Sequence, residues 1–369
     1  MGIYQDLGMT PIINAAGTYT VLGGSRMSEK TLEAMRQAAA DFIPIRELQK
    51  TVNAAIAKLT RNEGAYVPNG AATGLYLAVA AAIEIRLGKR FYYLERDEIA
   101  KMNVVMFKAH RNPYDLVIKN LGAGYRELSF PNIIFPPTEA DLDAALDENT
   151  AAIYYAASGW VAPGFLPLAD VVRIADKKGV PVIVDAAAQL PPVENLWKYS
   201  EMGVATTLFS GGKDLRGPQA SGLMVGKKSF HDVVASIGFP NYGIGRMMKV
   251  GREEMVGLYA AIKQYMEMDH DARYQWCEEQ IRKLTEALSG ITALKVSRSF
   301  PNEAGQPIAR AFVELAETKR SPEDLQKHLM DNNPPIYTFT EDKNGVFVNP
   351  MSLRDGEIDV IAARLKTFG

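Results

Sequence analysis

The stretch VIVDAAAQ at residues 182–189 joins an apolar, strand-like run to an aspartate and three small residues. A short continuous apolar run is typical of a strand that is buried on both faces of a parallel sheet. Ligands of open parallel sheets bind beyond the carboxyl ends of the strands. The sequence therefore predicts that Asp185, which ends the run, faces a crevice with little side-chain bulk around it.

A second stretch, LFSGGKD at residues 208–214, has the same form: the strand-like run ends at Ser210, two glycines follow, and Lys213 comes next. We expect the glycines to let the backbone approach a ligand closely. A lysine amine can form a Schiff base with the aldehyde of pyridoxal phosphate (PLP), and an aspartate can keep the pyridine nitrogen of PLP protonated. The two stretches together indicate a PLP site, with Ser210 as a candidate donor to the phosphate.

A third stretch, VPNGAATG at residues 67–74, precedes an alanine-rich helical segment. Small residues that open a helix leave backbone N–H groups free at its positive dipole end, which favours an anion. We predict that Gly70, Ala71, Ala72 and Thr73 bind the cofactor phosphate. The stretch lacks both the GxxxxGK[ST] pattern of P-loops and the GxGxxG pattern of dinucleotide-binding folds, which argues against an enzyme of either kind.

Around these stretches, apolar strand-like runs alternate with amphipathic helical segments, which predicts an α/β fold with a mainly parallel sheet covered on both faces. We predict an N-terminal segment over 1–45 that packs on the small domain or a subunit interface, a PLP-binding large domain over 46–255, and a small α+β domain over 256–369 that a long helix enters. The predicted strands lie near 104–108, 126–130, 151–156, 182–184, 206–209, 221–225, 294–296, 311–315, 336–339 and 346–348, and the predicted helices near 112–120, 138–146, 168–178, 248–288, 322–330 and 356–366.

The segment SGGKDLRGPQASG at residues 210–222 resembles the lysine segment of the selenocysteine-synthase-like PLP enzymes. Within these enzymes, the chain resembles the D-glucosaminate-6-phosphate ammonia-lyase group. The supporting segments are PIINAAGT at 11–18, RELQ at 46–49, DAAAQLPP at 185–192 and GRMMKV at 245–250. The resemblance implies the aspartate-aminotransferase-like fold (PLP fold type I) and a homodimer or higher homo-oligomer with active sites near the subunit interfaces.

The resemblance also implies a reaction. Ammonia-lyases of this group remove the α-proton, lose the β-hydroxyl and hydrolyse the resulting enamine to a 2-keto-3-deoxy acid and ammonia. We therefore expect a PLP-dependent lyase that acts on a hydroxylated 2-amino acid such as an amino-sugar acid 6-phosphate. Two departures from the group concern the part of the site that would bind the substrate. Residues 335–339 contain no basic side chain where we expect the group to have one, and residues 61–63 are RNE where the group tends to have TGAE.

The PLP-binding residues alone leave other reactions open, because the cofactor performs the difficult chemistry and the protein selects which bond breaks. A racemase, an aldolase or a β-replacement enzyme on another amino acid would use the same Lys213 and Asp185. A catalytically lapsed interaction protein on the same fold is the alternative of another class. Selenocysteine synthase itself acts on seryl-tRNA, and the net charge of −2 lacks the basic excess that we expect of a tRNA-binding chain.

Lys213 is the predicted Schiff-base lysine and the base that removes the α-proton. His110, in the segment KAHRNPYD at 108–115, is predicted to stack on the PLP ring or to protonate the departing hydroxyl; a structural histidine is the competing interpretation. Gln189 either contacts the phenolic oxygen of the cofactor, or the substrate, or caps the following loop. Trp160 follows a predicted strand and either lines the pocket or belongs to the core.

Four cations are candidates for binding a substrate carboxylate or phosphate, because such groups match the donors of arginine and lysine. They are Arg216, Arg246, Lys249 and Arg310, with Arg252 as a further candidate. Each of them alone is more often a surface or interface charge.

The composition of the chain is that of an ordinary globular protein, with 47% hydrophobic and 23% charged residues. The single cysteine, Cys277, cannot form an internal disulfide, and no Cys/His cluster indicates a metal site. We find no signal-peptide pattern and no apolar run long enough for a membrane span. We expect a cytoplasmic enzyme with a small-molecule substrate and no membrane or nucleic-acid partner.

Overall fold

The computed structural model describes residues 2–129, 135–161, 164–341 and 343–368. The strands of the described residues are β1 (Ile13–Asn14), β2 (Gly64–Tyr66), β3 (Asn103–Phe107), β4 (Gly124–Leu128), β5 (Thr150–Ala156), β6 (Val182–Asp185), β7 (Thr206–Ser210), β8 (Gly222–Gly226), β9 (Leu294–Ser299), β10 (Arg310–Leu315), β11 (Ile336–Tyr337) and β12 (Gly345–Val348).

Their α-helices are α1 (Ile3–Asp6), α2 (Glu29–Ala40), α3 (Ile45–Leu59), α4 (Ala71–Leu87), α5 (Arg96–Ala100), α6 (Leu116–Asn120), α7 (Glu139–Ala145), α8 (Leu168–Lys177), α9 (Asn195–Glu201), α10 (Lys228–Ile237), α11 (Arg252–Glu267), α12 (His270–Leu288), α13 (Pro322–Met330) and α14 (Glu357–Lys366).

The chain divides into two compact units, a larger one of Met27–Glu267 and a smaller one of Met1–Arg26 with Met268–Gly369. This division differs from the predicted boundaries at both ends of the larger unit. Helices α2 and α11 pack together there, and Ser28 Oγ donates to Gln264 Oε1 at 2.7 Å. Residues 27–45 and 256–267 therefore belong to the larger unit.

The larger unit contains a seven-stranded sheet in the order β2-β8-β7-β6-β5-β3-β4. Strands β7, β6, β5, β3 and β4 are parallel, and β8 runs antiparallel to both of its neighbours. The prediction of an α/β fold with a mainly parallel sheet is confirmed. The carboxyl ends of β5, β6 and β7 consequently meet at one edge of the sheet, where Asp185 and Ser210 end their strands.

Helix α4 is the central helix of the larger unit. Its residues from Gly74 to Ile83 are all buried, which is the behaviour of a helix that is apolar all round. Gly74 lets α4 pack closely on the sheet, because a Cβ there would lie 3.3 Å from Met224 Cγ and 3.4 Å from Leu208 Cδ2. This packing fixes the beginning of α4, at Ala71, relative to strands β7 and β8.

The smaller unit has an antiparallel sheet in the order β12-β10-β9 and a parallel pair of β1 with β11. Helices α12, α13 and α14 contribute apolar residues to its core, which includes Leu284, Leu325 and Ile361. The predicted small α+β domain is confirmed as a fold class. The N-terminal segment joins this unit through the register Ile13↔Ile336.

Several elements differ from the sequence prediction, among them helices α1, α3, α5, α9 and α10 and strands β1 and β2, which were not predicted. Helix α2 was not predicted, although Ser28 caps it by accepting the Thr31 N–H. The predicted helix over 248–288 is two helices, and Asp269 caps the second by accepting the Ala272 N–H at 2.8 Å. The predicted strand over 126–130 ends at Leu128, and its last residue lies outside the described part of the chain.

Within the described residues, no helix is both long and apolar enough to cross a membrane. The same residues contain no cluster of three or more histidine, cysteine or acidic side chains that could hold a metal ion. Thr138 and Asp141 form a capping box at the start of α7, since each side chain bonds the other residue's backbone N–H group. Cys277 is buried in α12.

Candidate active site

Asp185 ends strand β6 and accepts two hydrogen bonds. Its Oδ1 accepts the Ala187 N–H at 3.1 Å, and its Oδ2 accepts the Tyr154 hydroxyl at 3.0 Å. Burial raises the pKa of Asp185, and these two donors together with the charge of Lys213 oppose that rise. A carboxylate has about four acceptor positions, so Asp185 retains acceptor capacity for a further N–H donor.

Lys213 follows β7 and interacts electrostatically with Asp185, as the sequence predicted for two neighbouring strand ends. The two preceding glycines, which were predicted to allow close approach of a ligand, are also required by protein packing. A Cβ at Gly211 would lie 2.1 Å from Ser221 Oγ, and one at Gly212 would lie 2.7 Å from Gln219 Cα. Only glycine therefore allows the lysine loop to pack against residues 219–221.

The predicted phosphate loop opens α4, with Gly70 at φ 140°. The first i→i−4 bond of the helix runs from the Gly74 N–H to the Gly70 carbonyl at 3.0 Å, so the three preceding N–H groups have no intrahelical partner. Ser210 lies next to this loop through Gly222, which pairs with Ser210 in the sheet. A Cβ at Gly222 would lie 2.6 Å from the Gly70 carbonyl carbon. The structure thus brings together the two groups predicted to hold the phosphate, Ser210 and the beginning of α4.

His110 is completely buried, with 0% of its surface exposed. Its Nδ1 accepts the Ala156 N–H at 3.3 Å, and its Nε2 has no hydrogen-bond partner among the described residues. The rings of Tyr155 and Phe165 lie 4.6 and 4.7 Å from the imidazole centroid. Burial lowers the pKa of His110 to about 4, so the ring is neutral at pH 7.

Gln189 and Arg216 lie close in sequence to the Asp185–Lys213 pair. The Gln189 carbonyl accepts a bond of 2.6 Å from Asn195 Nδ2, and its side chain donates to the Ala188 carbonyl at 3.3 Å. Arg216 has a left-handed backbone with φ 55° and donates its N–H to the Lys213 carbonyl at 3.0 Å. Both residues are half-buried.

The other predicted anion-binding side chains lie in different surroundings. Arg246 and Lys249 are exposed, and the Arg246 guanidinium lies 5.4 Å from the Phe239 ring centroid. Arg310 belongs to the smaller unit, is only 5% exposed, and pairs with both Glu303 (3.0 Å) and Glu341. A substrate carboxylate would have to displace one of these two carboxylates from Arg310.

Two side chains near the site were missed by the sequence analysis, Tyr154 and Asn112. Tyr154 donates to Asp185, and Asn112 Nδ2 donates to the Tyr154 hydroxyl at 2.7 Å. Asn112 was visible in the quoted segment at 108–115, but its partner becomes apparent only from the register that pairs Ala156 with Asp185. Trp160, for which two interpretations were open, is 53% exposed and lies near Lys213, so it is not a core residue.

These groups fit PLP. The half-buried Lys213 offers an amine, the half-buried Asp185 offers acceptor capacity to a pyridinium, and the beginning of α4 offers free N–H groups to a phosphate. The Asn69 Oδ1 atom in the same loop is buried without a hydrogen-bond partner among the described residues. An unpartnered buried polar atom is unfavourable, which supports a ligand or an ordered water at this loop.

Comparisons with known proteins agree with this geometry. The family described as SelA, L-seryl-tRNA selenium transferase, matches residues 12–297. The chain is 31% identical over 373 residues to D-glucosaminate-6-phosphate ammonia lyase of Salmonella typhimurium, covering 99% of this chain and 97% of that protein. A solved structure of D-glucosaminate-6-phosphate ammonia-lyase superposes with a TM-score of 0.85 at 30% identity, covering 100% of this chain and 98% of the other.

A second relative has a different activity in its name. The 5'-C-glycyluridine monooxygenase-decarboxylase of a Streptomyces species is 30% identical over 369 residues, covering 97% of this chain and 90% of that protein. Serine palmitoyltransferase of S. paucimobilis, solved with a bound PLP–myriocin adduct, shares the fold with a TM-score of 0.59 at 13% identity, over 96% of this chain and 87% of the other. The fold is that of fold-type-I PLP enzymes, and the chain belongs to the SelA family.

Proposed function

We propose that this protein is a PLP-dependent ammonia-lyase that performs α,β-elimination on a hydroxylated 2-amino acid, such as an amino-sugar acid 6-phosphate. The products are a 2-keto-3-deoxy acid and ammonia. The observation that carries the proposal is the similarity to D-glucosaminate-6-phosphate ammonia lyase, which extends over nearly the full length of both sequences and both structures.

The residues at the strand ends of the larger unit suit the tasks of a PLP site. Lys213 would hold the cofactor through its amine, Asp185 would pair with the pyridine nitrogen, and Ser210 with residues 70–73 would hold the phosphate. Once bound, PLP supplies an electron-withdrawing ring that stabilises negative charge at the substrate α-carbon. Gln189 would contact the phenolic oxygen of the cofactor or the substrate.

The elimination needs one base and the departure of one hydroxyl. We assign the base to the Lys213 amine, which takes the proton from the α-carbon; general bases of this kind typically contribute about 10²–10⁴-fold. The C–O bond at the β-carbon then breaks, and the hydroxide leaves as water with the proton that the Lys213 amine took up, which returns the amine to its basic form. Water next hydrolyses the free enamine, so that the keto acid and ammonia account for all atoms of the substrate.

His110 is better suited to a structural role than to act as the acid in this reaction. Its Nδ1 accepts a backbone N–H, so the neutral ring carries its proton on Nε2. Burial holds the pKa of the imidazole at about 4, so a protonated ring is scarce at neutral pH. The complete burial of His110 and its packing against Tyr155 and Phe165 support the structural interpretation over both stacking on the cofactor and protonation of the departing hydroxyl.

Three cations of the larger unit remain candidates for the carboxylate or phosphate of the substrate, Arg216, Arg246 and Lys249. Arg216 directly follows the lysine loop, and its bidentate guanidinium matches a carboxylate. Arg246 and Lys249 are exposed and would suit a phosphate at the outer end of the substrate. Arg310 is the weakest of the four candidates, because two carboxylates already neutralise its charge.

We also propose a cytoplasmic homo-oligomer. The single cysteine of the chain suits a reducing compartment. Exposed apolar side chains on the larger unit, among them Phe42 at 99% and Tyr242 at 83%, are the type of surface that subunit contacts cover.

The proposed function is tested with purified, PLP-loaded protein and a panel of 2-amino-3-hydroxy acids that includes D-glucosaminate 6-phosphate. We expect ammonia and a 2-keto acid in equal amounts from at least one substrate, and no product with Lys213→Ala. Lys228→Ala, which removes an exposed lysine paired with Asp232, serves as the matched control and should retain activity. Absence of ammonia and keto acid across the panel would refute the proposal.

The Streptomyces relative favours a second candidate, an oxygen-consuming decarboxylation of a glycyl nucleoside. The same panel with 5'-C-glycyluridine added separates the two reactions. Consumption of O₂ with release of CO₂, and no keto acid from the hydroxylated amino acids, would replace the ammonia-lyase proposal with this candidate. Exchange of the α-proton with D₂O without any product would instead indicate a racemase-type enzyme.

A further inference from the structure

Asn112 has an amide orientation that the structure determines. Its Oδ1 accepts the Tyr114 N–H at 2.9 Å, so the nitrogen of the amide must face the other way. There, Nδ2 donates to the Tyr154 hydroxyl at 2.7 Å and to the His110 carbonyl at 3.1 Å. An amide nitrogen is only a donor, so Tyr154 oxygen is the acceptor in its contact with Asn112.

The direction of the next hydrogen bond follows from the first. A phenol has one proton to donate, and the Tyr154 oxygen already accepts from Asn112. Its own proton therefore goes to Asp185 Oδ2, 3.0 Å away. The phenol is fully buried, and burial followed by the charge of Asp185 raises its pKa far above the ordinary value. Tyr154 thus keeps its proton and remains a donor at every working pH.

We infer that Tyr154, oriented by Asn112, is a positioning residue that keeps Asp185 ionised and aimed at the pyridine nitrogen of PLP. This inference rests on the proposed PLP site. Hydrogen bonds to a carboxylate favour its charged form and oppose the effect of burial. The Ala187 N–H fixes Oδ1 and the Tyr154 hydroxyl fixes Oδ2, so the carboxylate plane is held from two sides.

The charged and titratable groups around this chain of hydrogen bonds come from three elements. Lys213, after β7, acts on Asp185, whereas Asp185 on β6 and Asp115 after Asn112 act on Tyr154. Asp115 is paired with Arg111 at 2.5 Å. Tyr154 is therefore the neutral donor between Asp185 and the Asn112 turn, and Tyr154→Phe removes a hydrogen bond to Asp185 without removing a charged side chain.

The test measures PLP binding and the visible spectrum of the bound cofactor across pH, not ammonia release. Tyr154→Phe removes the donor to Asp185 and should weaken PLP binding by about ten- to hundredfold, the worth of a hydrogen bond to a charged group. The spectrum should also change with pH over a range where the wild-type spectrum is constant, because the pyridine nitrogen loses its proton more readily. Tyr66→Phe is the matched control, since it removes an equally buried hydroxyl that donates to the Phe239 carbonyl at 3.0 Å.

Two further variants separate positioning from simple stability. Asn112→Asp keeps the acceptor for the Tyr114 N–H but replaces the donor to Tyr154 with an acceptor that competes for the phenol proton, so it should weaken PLP binding in the same direction. In an Asp185→Ala background, Tyr154→Phe should cause no further loss, because its effect passes through Asp185. This non-additivity is not expected of a hydroxyl that only stabilises the fold.

The inference is overturned if Tyr154→Phe binds PLP like the Tyr66→Phe control with a pH-independent spectrum, or if its effect persists in the Asp185→Ala background. If Tyr154→Phe fails to fold, Asn112→Asp decides by the same two readouts. Wild-type protein that binds PLP but yields no keto acid would refute the ammonia-lyase proposal and leave this inference standing. Wild-type protein that fails to bind PLP would refute both.

Discussion

The Lys213 ammonium lies 5.8 Å from the centroid of the Trp160 indole ring. The turn that carries Trp160 follows β5, and the backbone N–H of Trp160 donates to Ser158 Oγ at 3.2 Å. The other two tryptophans have different partners: Trp197 lies under the Arg61 guanidinium, and Trp276 donates to Asp355. Trp160 therefore lies against Lys213, whereas the contacts named for Trp197 and Trp276 do not involve this lysine.

Trp160→Phe is expected to change the fluorescence of the protein on PLP binding. In the wild type, PLP attached to Lys213 should quench Trp160 by energy transfer over a short distance. Titration with PLP should thus produce a smaller loss of emission in Trp160→Phe than in wild type or in the control Trp197→Phe. Equal quenching in all three proteins would contradict the assignment of the cofactor to Lys213.

Gly222→Ala should damage the phosphate loop. A Cβ at this position would lie 2.6 Å from the Gly70 carbonyl carbon and 2.9 Å from the Ala71 nitrogen, so the loop or β8 must move. We expect the protein to lose about 1–3 kcal/mol of unfolding free energy, and affinity for PLP to fall by roughly tenfold, which corresponds to about 1.4 kcal/mol.

The control for this variant is Gly124→Ala, at the start of another strand of the same sheet. Its Cβ would meet nothing closer than the Met102 carbonyl oxygen at 3.7 Å, which is an ordinary contact. Urea unfolding and PLP titration of the two variants provide the comparison. Equal PLP affinity in both would show that the beginning of α4 does not bind the phosphate.

Arg310→Met is expected to act on stability. Glu303 would remain buried without its cationic partner, and the loss of one partner of a buried ion pair costs about 3–5 kcal/mol. Adding Glu303→Gln should recover part of the loss, because the uncompensated charge is removed. The exposed pair of Arg298 with Glu278 provides the control, and Arg298→Met should cost about 0–1 kcal/mol. Unchanged urea unfolding with a raised KM would instead identify Arg310 as a substrate ligand.

His231 should make stability depend on pH. It is buried, and its Nδ1 donates to the Lys227 carbonyl at 2.9 Å while Nε2 accepts from the Thr206 hydroxyl. Burial lowers the pKa of His231 to about 4, whereas an unfolded histidine has a pKa of about 6.5. Between these values the unfolded chain binds more protons than the folded chain, so the unfolding free energy rises with pH through this window. The stabilising contribution of neutral His231 is fully present above the window.

The contribution of His231 over this window is on the order of 3 kcal/mol, at about 1.36 kcal/mol for each pH unit between the two pKa values. His231→Gln should therefore flatten the pH dependence of urea unfolding between about pH 4 and 6.5. The corresponding change at a histidine of the smaller unit, His328→Gln, is the control. An unaltered slope in His231→Gln would contradict the buried, neutral state.

The parts of the site that could be predicted from the sequence are those in which a polar residue stands at the end of an apolar strand. Asp185 and Ser210 end apolar runs, and the ends of neighbouring parallel strands meet at one edge, so their proximity followed from the strand pattern. The phosphate loop followed likewise from small residues before an alanine-rich helix. These inferences need only the order of strands and helices along the chain.

The hydrogen bonds between Asn112, Tyr154 and Asp185 could not be predicted in this way. Tyr154 lies inside a buried strand, where the sequence pattern does not distinguish a tyrosine from an apolar residue. Its hydrogen bond to Asp185 depends on the register of β5 against β6. Gly211 and Gly212 were assigned to ligand approach because the sequence does not show that residues 219–221 return to pack on them. Helix α2 was not predicted because the helix that packs on it, α11, lies more than 200 residues later in the sequence.

The most direct test of the account is the absorption spectrum of the purified protein with PLP, before and after borohydride reduction, in wild type, Lys213→Ala and the control Lys228→Ala. The account predicts a visible absorbance in wild type and Lys228→Ala that borohydride converts to a stable attachment of the cofactor at Lys213, and no such attachment in Lys213→Ala. Reductive attachment that persists in Lys213→Ala, or a wild-type protein that takes up no PLP, would contradict it.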